Sequence, residues 1–303
     1  MDDIEFIILA AGKSTRNYPH SKGIPHKSLV PFGSRKIIDY IIREPISAGV
    51  RHITIVVSDE RAREAFELCF TREENIEEKF KKSGNLIGLE LLQSLYLPSW
   101  VDLKYVIQPE PKGLAHAVGL ANKVAGGRHL AVRMPDDMVL KKNPGDGGEG
   151  FVVRALKKYV ADGVGGHMFC TRKVDDPSRW GIIEDGVFRE KPVSSKSRDA
   201  AHTLWFFDRA SARVQEEMAD RADTPGTPEW SAAMGGKELH HNDFLNHFIE
   251  KNPKMKIRTF PVGPDEVYLD CGTLAGYEEA LIYMLLNDSA FKERNKETAR
   301  RFI

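Results

Sequence analysis

Residues 7–16 read Ile-Ile-Leu-Ala-Ala-Gly-Lys-Ser-Thr-Arg, and this stretch does most to predict the fold. It predicts a buried apolar strand that breaks at small residues around Gly12, where the backbone can approach a ligand closely. Lys13 and Arg16 follow at once, so a tight turn directs several backbone N–H groups and two cations at one point. Such a turn is typical of a site that holds a polyphosphate.

Two common phosphate-binding motifs do not fit this loop. Gly12-Lys13-Ser14 looks like the end of a Walker A motif, but that motif requires a glycine at position 7, which is isoleucine. A Rossmann fingerprint requires a partner for Gly12, and neither position 10 nor position 15 is glycine. A simpler alternative, a strand that ends in a glycine turn with Lys13 and Arg16 solvated, stays open on these residues alone.

Composition and charge limit the class of protein. A chain of 303 residues is long enough for one large α/β domain or two modest ones. Basic and acidic residues both number 44, so the net charge favours neither nucleic acid nor an anionic membrane as a partner. Three widely spaced cysteines exclude a disulfide framework and a CxxC metal site. Because the start lacks a signal-peptide pattern and no apolar run could span a bilayer, we expect a cytoplasmic protein.

Strand-like runs alternate with helical patterns, which is typical of a mostly parallel sheet covered by helices on both faces. Strands are predicted at 4–9, 52–57, 104–107, 130–134, 165–170, 181–184, 187–190, 200–207 and 255–261. Asp185-Gly186 is predicted to form a hairpin turn. Helices are predicted from Ile37 to a kink or end at Pro45, and at 151–160, 239–250 and 273–286.

Other stretches depart from this alternation. Residues 59–97 are long, charged and helical in pattern, and they predict a helical excursion between two sheet strands. Residues 143–150 and 220–237 are rich in turn-forming residues, so both are predicted as loops, the second of them mobile. The polar end at 292–301 is predicted to pack elsewhere or against another subunit.

Two aspartates follow predicted strands. Asp136 lies in Met-Pro-Asp-Asp after the strand at 130–134, and Asp270 precedes Cys271-Gly272 and a helix. Ligands of open parallel sheets gather beyond the carboxyl ends of the strands, and Mg²⁺ prefers one or two carboxylates together with phosphate oxygens and water. The alternatives are an Asp-Asp turn and a helix cap, and the sequence alone does not show whether the two aspartates meet.

Glu190-Lys191-Pro192 ends the second strand of the predicted hairpin. A carboxylate can accept hydrogen bonds from two neighbouring sugar hydroxyls, and an ammonium can bind a phosphate as a point charge. Adjacent side chains on a strand point to opposite faces, so both reach one ligand only where the strand bends. An ordinary ion pair on an edge strand is the alternative.

The segment 108–117 ends another strand and opens a helix near Leu114. The amide of Gln108 can both donate to and accept from a nucleobase edge, and Gly113 would let a flat base lie against the backbone. His116 lies early in the helix, where a histidine is more often packed or capping than catalytic.

These segments occur together and in one order, and in that arrangement the chain resembles the sugar-nucleotide pyrophosphorylases, most closely the bacterial-type UTP–glucose-1-phosphate uridylyltransferases. The matching segments are 10–16, 24–25, 27–31, 108–118, 135–136, 180–181, 190–192 and 270–273. The resemblance implies an α/β fold with a Rossmann-like mixed, mostly parallel sheet flanked by helices. It implies one nucleotidyltransferase domain at 1–287, with the helical excursion at 59–97, and a polar helical tail at 288–303.

The resemblance also implies a role for each matching residue. The implied nucleotide-binding residues are Ala10, Ala11, Gly12, Lys13, Ser14, Thr15, Gln108, Gly113 and Asp136. The implied catalytic cations are Arg16, Lys27 and Lys191, the implied sugar-phosphate contacts are Gly181, Glu190 and Lys191, and the implied Mg²⁺ ligands are Asp136 and Asp270.

The activity that the resemblance implies is Mg²⁺-dependent transfer of a uridylyl group from UTP to glucose 1-phosphate, which gives UDP-glucose and pyrophosphate, by a homo-oligomer. Three departures concern the site: Ser14 replaces a glycine, Asp137 replaces an apolar residue, and one extra residue in 24–31 leaves Lys27 and His26 as competing assignments. Nucleotidyl transfer from dTTP, CTP or GTP to another sugar phosphate is one alternative. A non-catalytic sugar-nucleotide sensor is the other.

Overall fold

The computed structural model describes residues 1–142, 148–239 and 255–287, together with Leu245, Phe248 and Ile249. The strands described are β1 (Ile4–Ala10), β2 (Pro31–Phe32), β3 (Arg35–Lys36), β4 (His52–Val57), β5 (Asp102–Ile107), β6 (His129–Arg133), β7 (Asp137–Lys141), β8 (Met168–Lys173), β9 (Gly181–Glu184), β10 (Val187–Glu190), β11 (Asp199–Phe207), β12 (Arg258–Pro261) and β13 (Glu266–Asp270). The helices described are α1 (Ile37–Ser47), α2 (Glu60–Phe70), α3 (Glu74–Ser83), α4 (Leu86–Gln93), α5 (Leu114–Asn122), α6 (Phe151–Ala161), α7 (Arg209–Asp223), α8 (Pro228–Met234) and α9 (Leu274–Asn287).

The main sheet has the order β10-β9-β11-β6-β1-β4-β5, with β8 paired to β11 and β12 paired to β8. The four strands β6, β1, β4 and β5 run parallel, whereas β11 joins β6 antiparallel. The predicted α/β class with a mixed sheet flanked by helices is confirmed. A separate antiparallel pair, β7 with β13, places Asp270 opposite Asp137.

The order of the parallel strands reverses next to β1. The chain builds β4 and β5 on one side of β1 and then returns to add β6 on the other side. Ligands of such sheets bind beyond the carboxyl ends of the strands at the point where the order reverses. The two loops that leave this point are 11–16 after β1 and 134–136 after β6, which are two of the predicted site segments.

Strand β1 is buried along its whole length because helices cover both of its faces. Phe6 and Ile8 pack in one apolar cluster with residues of α1, whereas Ile7 and Leu9 pack in a second cluster with residues of α5. Successive side chains of a strand point to opposite faces, so this continuous apolar run is what a doubly covered sheet requires. The burial holds the loop after β1 on a rigid strand end.

The helical excursion is confirmed. Helices α2, α3 and α4 occupy 60–93 between β4 and β5. Asp59 caps α2, since its side chain accepts a hydrogen bond from the backbone N–H of Ala62 at 2.8 Å. Helix α1 ends at Ser47, two residues beyond Pro45, in keeping with the expected end near that proline.

The prediction of a mobile loop at 220–237 is wrong. Helix α7 continues to Asp223, and α8 forms from Pro228 to Met234. The proline stands at the start of α8, where its missing N–H leaves no helical hydrogen bond unmade, and Thr227 accepts a hydrogen bond from the backbone of Trp230. Proline and threonine here begin a helix rather than prevent one.

Several predicted bounds differ by a few residues, as with β8, which begins at Met168 rather than at 165, and β12, which begins at Arg258 rather than at 255. Most of the predicted loop at 143–150, most of the predicted helix at 239–250 and the whole tail at 288–303, with the polar end at 292–301, lie outside the described residues. In the part of the chain that the structure describes, no helix is long and apolar enough to cross a membrane.

Candidate active site

The loop after β1 begins at Ala11 and enters a one-turn 3₁₀ helix at Thr15–Asn17. Gly12 has an ordinary backbone conformation, and a Cβ added to it would meet no described atom within 4 Å. The fold therefore does not itself require glycine at this position. A ligand that approaches the loop would occupy this open space beside the backbone of Gly12.

Ser14 adopts the left-handed backbone conformation, with φ of 56°. This conformation explains why glycine stands there in the family that the chain resembles. Two hydrogen bonds offset the strain: the backbone N–H of Lys27 donates to Ser14 Oγ at 2.9 Å, and Ser21 Oγ donates to the Ser14 carbonyl at 3.0 Å. The serine thus ties the loop to the segment that carries Lys27.

Asn17 also belongs to the site, and no motif in the sequence indicated it. Its buried amide donates to the carbonyl of Cys271 at 3.1 Å. This hydrogen bond connects the loop after β1 to the turn that follows Asp270. Arg16, next to it in the chain, is exposed.

Lys27, Asp136 and Asp270 converge at Gly272. Lys27 Nζ forms an ion pair with Asp136 Oδ2, and the two residues are only 8% and 6% exposed. A Cβ added to Gly272 would lie within 3.2 Å of that ammonium and that carboxylate, and 2.8 Å from Asp270 Oδ1. The structure thus brings together the two aspartates whose meeting the sequence could not show.

The antiparallel pairing of β7 with β13 produces this convergence. The backbone N–H of Cys271 donates to the Asp136 carbonyl at 2.6 Å, and the N–H of Gly272 donates to Asp270 Oδ1 at 2.7 Å. Thr273 then caps α9, because its Oγ1 accepts from the backbone N–H of Gly276 at 3.1 Å. Thr273, rather than Asp270, is therefore the helix cap at this turn, and the carboxylate of Asp270 lies close to Lys27 and Asp136.

Lys27, rather than His26, lies beside Asp136. His26 is buried, and its Nδ1 accepts a hydrogen bond from the backbone N–H of Ser28 at 3.2 Å. Burial, helped by the charge of Lys27, lowers the pKa of His26 to about 3. A neutral capping histidine supplies no positive charge to a phosphate, so the geometry favours Lys27 as the cation.

A buried arginine explains why the fold tolerates an aspartate at position 137. Arg133 at the end of β6 is 0% exposed, and its guanidinium donates to Asp137 Oδ1 at 3.0 Å and to Glu44 Oε2 at 2.9 Å. Tyr268 adds a hydrogen bond to Asp137 Oδ2 at 3.0 Å. The Arg133–Asp137 pair spans the loop that carries Asp136. Sequence reasoning missed Arg133, although a charged residue at the end of an apolar strand was a usable signal.

The loops after β1, β4 and β5 line a cavity of about 670 Å³. The cavity residues include Ala11, Gly12, Lys13, Ser58, Arg61 and Gln108. The predicted phosphate loop and the predicted base-reading glutamine therefore share one cavity.

The fold itself requires glycine at position 113, and the predicted contact of Gly113 with a base stays a prediction. Its φ is 107°, and a Cβ would lie only 2.6 Å from the backbone nitrogen of Leu239. The segments are joined by hydrogen bonds from Leu239 N–H to the Lys112 carbonyl at 2.8 Å and from Ala115 N–H to the Leu239 carbonyl at 3.2 Å. The close approach of another backbone segment therefore requires glycine here.

The hairpin of β9 and β10 carries the predicted sugar-phosphate residues. Gly181 lies directly opposite Glu190, and a Cβ on the glycine would come within 3.2 Å of Glu190 Oε2. Lys191 has a φ of 42°, and its N–H donates to the Trp180 carbonyl at 3.0 Å. The bend that Glu190 and Lys191 need in order to face one ligand is thus present, and Lys191 Nζ lies 3.8 Å from Glu190 Oε1. The hairpin sits two strands from β6 in the sheet.

The donor atoms at Asp136 and Asp270 fit a hard divalent cation. Carboxylate oxygens are the ligands that Mg²⁺ prefers, and it usually takes only one or two of them. Among the described residues no group of three or more histidine, cysteine, aspartate or glutamate side chains could hold a metal. Two carboxylates at the point where the strand order reverses suit a cation that shares its other positions with water and phosphate oxygens.

Comparisons with known proteins identify the family and the fold of the chain. The chain matches the family model for nucleotidyl transferases over residues 5–283. It is 38% identical over 140 residues to UTP–glucose-1-phosphate uridylyltransferase of Bacillus subtilis, which covers 46% of each chain. It is 31% identical over 182 residues to UTP–glucose-1-phosphate uridylyltransferase 2 of Staphylococcus saprophyticus, which covers 59% of this chain and 58% of that one. These alignments span about half the length of those relatives.

Solved structures resemble the whole chain. A UDP-glucose pyrophosphorylase from Acinetobacter baumannii superposes with a TM-score of 0.77 at 20% identity, covering 100% of both chains. The UTP-bound enzyme from the same organism superposes with a TM-score of 0.74 at 20% identity, covering 99% of both chains. At this identity the likeness establishes the fold. With a family match that spans most of its length, the chain belongs to the nucleotidyl transferase family.

Proposed function

We propose that this nucleotidyltransferase transfers a uridylyl group from UTP to glucose 1-phosphate, giving UDP-glucose and pyrophosphate. The observation that carries the proposal is the convergence of Lys27, Asp136 and Asp270 beside the loop after β1. The names of the curated relatives and the UTP-bound structural neighbour support the choice of nucleotide. The cytoplasmic location and the homo-oligomer stay predictions.

The reaction needs no general base. Phosphate monoesters have a second pKa near 6, so the attacking oxygen of glucose 1-phosphate is already anionic at pH 7. That oxygen forms a bond to the α-phosphorus of UTP, and the bond to the β-phosphate oxygen breaks with its electron pair leaving on pyrophosphate. The obstacle is repulsion between two polyanions, and alignment of the attacking oxygen supplies much of the remaining rate.

The cations of the site are placed to reduce that repulsion. Lys13 lines the cavity, and Arg16 lies exposed three residues further along the loop. Lys27 is held against Asp136, from which its ammonium can move to a phosphate oxygen when substrate enters. Lys191 is exposed at the bend of the β9–β10 hairpin, where it would bind the phosphate of the sugar while Glu190 accepts from sugar hydroxyls.

Asp136 and Asp270 would hold Mg²⁺. Bound there, the cation would neutralise charge on the phosphates and help to hold them in line. The chain itself supplies the fixed positions of the two carboxylates through the β7–β13 pairing and the hydrogen bonds of Cys271 and Gly272.

A pyrophosphate-release screen tests the proposal. UTP, dTTP, CTP, GTP and ATP are each combined with a set of sugar 1-phosphates and Mg²⁺, and the product is identified by mass spectrometry. We expect the highest kcat/KM with UTP and glucose 1-phosphate. A higher value with another nucleotide or sugar would assign the chain to a different nucleotidyl transfer, and tight binding of UDP-glucose without turnover would indicate a sensor.

A matched pair of variants makes the screen specific to the site. Asp136→Asn should abolish Mg²⁺-dependent turnover, because it removes one proposed ligand charge. Asp185→Asn is the control, since Asp185 is exposed in the hairpin turn and asparagine tolerates its φ of 54°. Equal Mg²⁺ dependence in the two variants, with unchanged melting temperatures, would contradict the assignment of Asp136.

A further inference from the structure

A chain of hydrogen bonds runs from exposed Asp223 on α7, through buried His116, to the wall of the cavity. Gln108 Nε2 lies 3.2 Å from the carbonyl of Gly113 and 2.9 Å from His116 Nδ1. His116 Nε2 lies 3.1 Å from Asp223 Oδ1, and Lys112 Nζ donates to the same oxygen at 2.7 Å. Gln108 also lines the cavity, so one end of this chain of contacts lies at the cavity wall.

Hydrogen-bonding chemistry fixes every proton in this chain. A carbonyl oxygen only accepts, so the Gln108 atom that faces Gly113 must be the amide nitrogen. Its second hydrogen then points to His116 Nδ1, which must accept, and the ring proton must be on Nε2, from which it donates to Asp223. The aspartate therefore selects the tautomer of His116, and His116 Nδ1 acts with the Gly113 carbonyl to fix the orientation of the Gln108 amide.

The charges around His116 agree with a neutral ring. The side chain is 2% exposed, and burial lowers its pKa although Asp223 opposes that shift. Burial works against ionised Asp223, but hydrogen bonds from Lys112 and His116 hold the pKa of this carboxyl below its usual value. An anionic aspartate beside a neutral histidine is the combination that the hydrogen bonds require.

Close packing of α7 on α5 places Asp223 next to His116. A Cβ added to Gly119 would come within 2.6 Å of the Ala219 side chain, so glycine lets the two helices approach closely. Asn122 at the end of α5 donates to the Ala212 carbonyl at 3.3 Å. These contacts fix the antiparallel packing of α7 on α5, and this packing places Asp223, at the end of α7, next to His116 near the start of α5.

We propose that Asp223, acting through His116, fixes the Gln108 amide so that its carbonyl oxygen faces the base and selects uracil or thymine over cytosine. Both amide hydrogens are used inside the protein, so the group left for a ligand is an acceptor. Uracil and thymine carry a hydrogen on N3, whereas N3 of cytosine carries a lone pair that repels an acceptor. Asp223 and His116 are positioning residues. The inference rests on the proposed function, because it takes the base of the nucleotide to bind next to Gln108.

Nucleotide affinities test the inference independently of turnover. The dissociation constants of UTP, dTTP and CTP are measured by calorimetry with Mg²⁺ and without sugar phosphate, for the wild type and for Asp223→Ala. Without Asp223, His116 loses the acceptor of its Nε2 proton while the Lys112 ammonium stays nearby, so the other tautomer is favoured and only the Gly113 carbonyl still holds the amide. We expect the preference for UTP over CTP to fall about tenfold, the factor that one net hydrogen bond supplies. The ratio of UTP to dTTP should change less than about twofold, because both bases carry the N3 hydrogen.

Asp220→Ala is the matched control. Asp220 lies one turn earlier on α7, and its Oδ1 pairs with Nζ of Lys123, the residue after α5, at 2.6 Å. It should leave both ratios unchanged. A loss of UTP preference in both variants would indicate a merely structural effect of α7 and would overturn the inference.

A second variant removes the histidine itself. His116→Leu places an apolar side chain in the buried position and leaves only the Gly113 carbonyl to hold the Gln108 amide, so it should lower the UTP preference as much as Asp223→Ala does. The double variant should be no less selective than His116→Leu alone, because Asp223 acts only through His116. Effects that multiply in the double variant would contradict the proposed order of action.

The outcomes separate this inference from the proposed function. A wild type that binds UTP and dTTP in preference to CTP, and loses that preference with Asp223→Ala, supports the inference even if no UDP-glucose forms and the proposed function fails. A wild type that shows no preference for UTP and dTTP over CTP overturns the inference, whether or not it makes UDP-glucose.

Discussion

Gly272 is the glycine on which the cluster of Lys27, Asp136 and Asp270 depends, and Gly272→Ala is therefore the sharpest perturbation. The backbone of Gly272 is outside the left-handed region, so alanine introduces no backbone strain there. The new Cβ would lie 2.8 Å from Asp270 Oδ1, and the carboxylate of Asp136 and the ammonium of Lys27 are also within 3.2 Å. The substitution changes only the space available to these three groups.

The size of the effect follows from those distances. Carbon and oxygen atoms in van der Waals contact are about 3.5 Å or more apart, so the carboxylate of Asp270 must retreat by roughly 0.7 Å, and that of Asp136, which lies closer to the new Cβ, by roughly 1 Å. A displacement of about 1 Å in a positioned group can lower a rate by about 100-fold. We expect kcat to fall by about this factor, and the Mg²⁺ concentration for half-maximal rate to rise, while the melting temperature changes little.

The assay is pyrophosphate release at saturating UTP and glucose 1-phosphate over a range of Mg²⁺ concentrations. Gly150→Ala is the control, because a Cβ on Gly150 would meet no described atom within 4 Å and its φ is an ordinary −61°. A Gly272→Ala protein that keeps kcat within about threefold of the Gly150→Ala control, with its fold intact, would refute this account, because a 1 Å shift of the carboxylates would then be harmless.

Three further predictions concern single residues. Arg16→Ala should lower kcat by at least ~100-fold, the usual loss when one transition-state charge contact is removed, and a near-normal kcat would exclude that role. Arg133→Met should lower the free energy of unfolding by about 3–5 kcal/mol in urea, because it leaves buried carboxylates without their cation, whereas Arg189→Met at an exposed ion pair should cost about 1 kcal/mol or less. Burial lowers the pKa of His167 to about 4 and that of His202 to about 3. Below pH ~6.5 the unfolded chain therefore binds protons that the folded chain does not bind. The free energy of unfolding should fall by up to ~1.4 kcal/mol per pH unit for each histidine towards pH 4. Urea unfolding at pH 7 and pH 5 measures this loss, and a replacement of His202 by phenylalanine that leaves the pH dependence unchanged would contradict it.

The sequence predicts the local elements of this fold well because they depend on nearby residues. The strands at 52–57, 181–184 and 187–190 have the predicted bounds, since an apolar run between turn residues determines each of them. The hairpin turn at Asp185-Gly186 is present for the same reason, with both residues at positive φ. The site segments could be located once these elements were predicted, because the polar residues directly follow apolar strands in the sequence.

What the sequence could not provide is the pairing of distant segments. Asn17 donates to a carbonyl 254 positions away, and His116 contacts Asp223 107 positions away. No local pattern indicates either partner. The turn-forming residues at 220–237 predict a mobile loop where α7 in fact continues to Asp223. Gly113 shows the same limit, since it is glycine because of the backbone at Leu239 and not because of its own neighbours. Residues whose role depends on a contact between distant segments appear only when the fold brings those segments together.

The most direct test of the central claim is the rate at which Asp270→Asn forms UDP-glucose from UTP and glucose 1-phosphate at saturating Mg²⁺. Asp265→Asn is the control, because Asp265 is exposed nearby in the same segment and its carboxylate forms an ion pair with Lys141. If Asp270 acts with Asp136 at one centre, Asp270→Asn should be at least ~100-fold slower than the control, and added Mg²⁺ should not restore it. Equal rates for the two variants would contradict the claim.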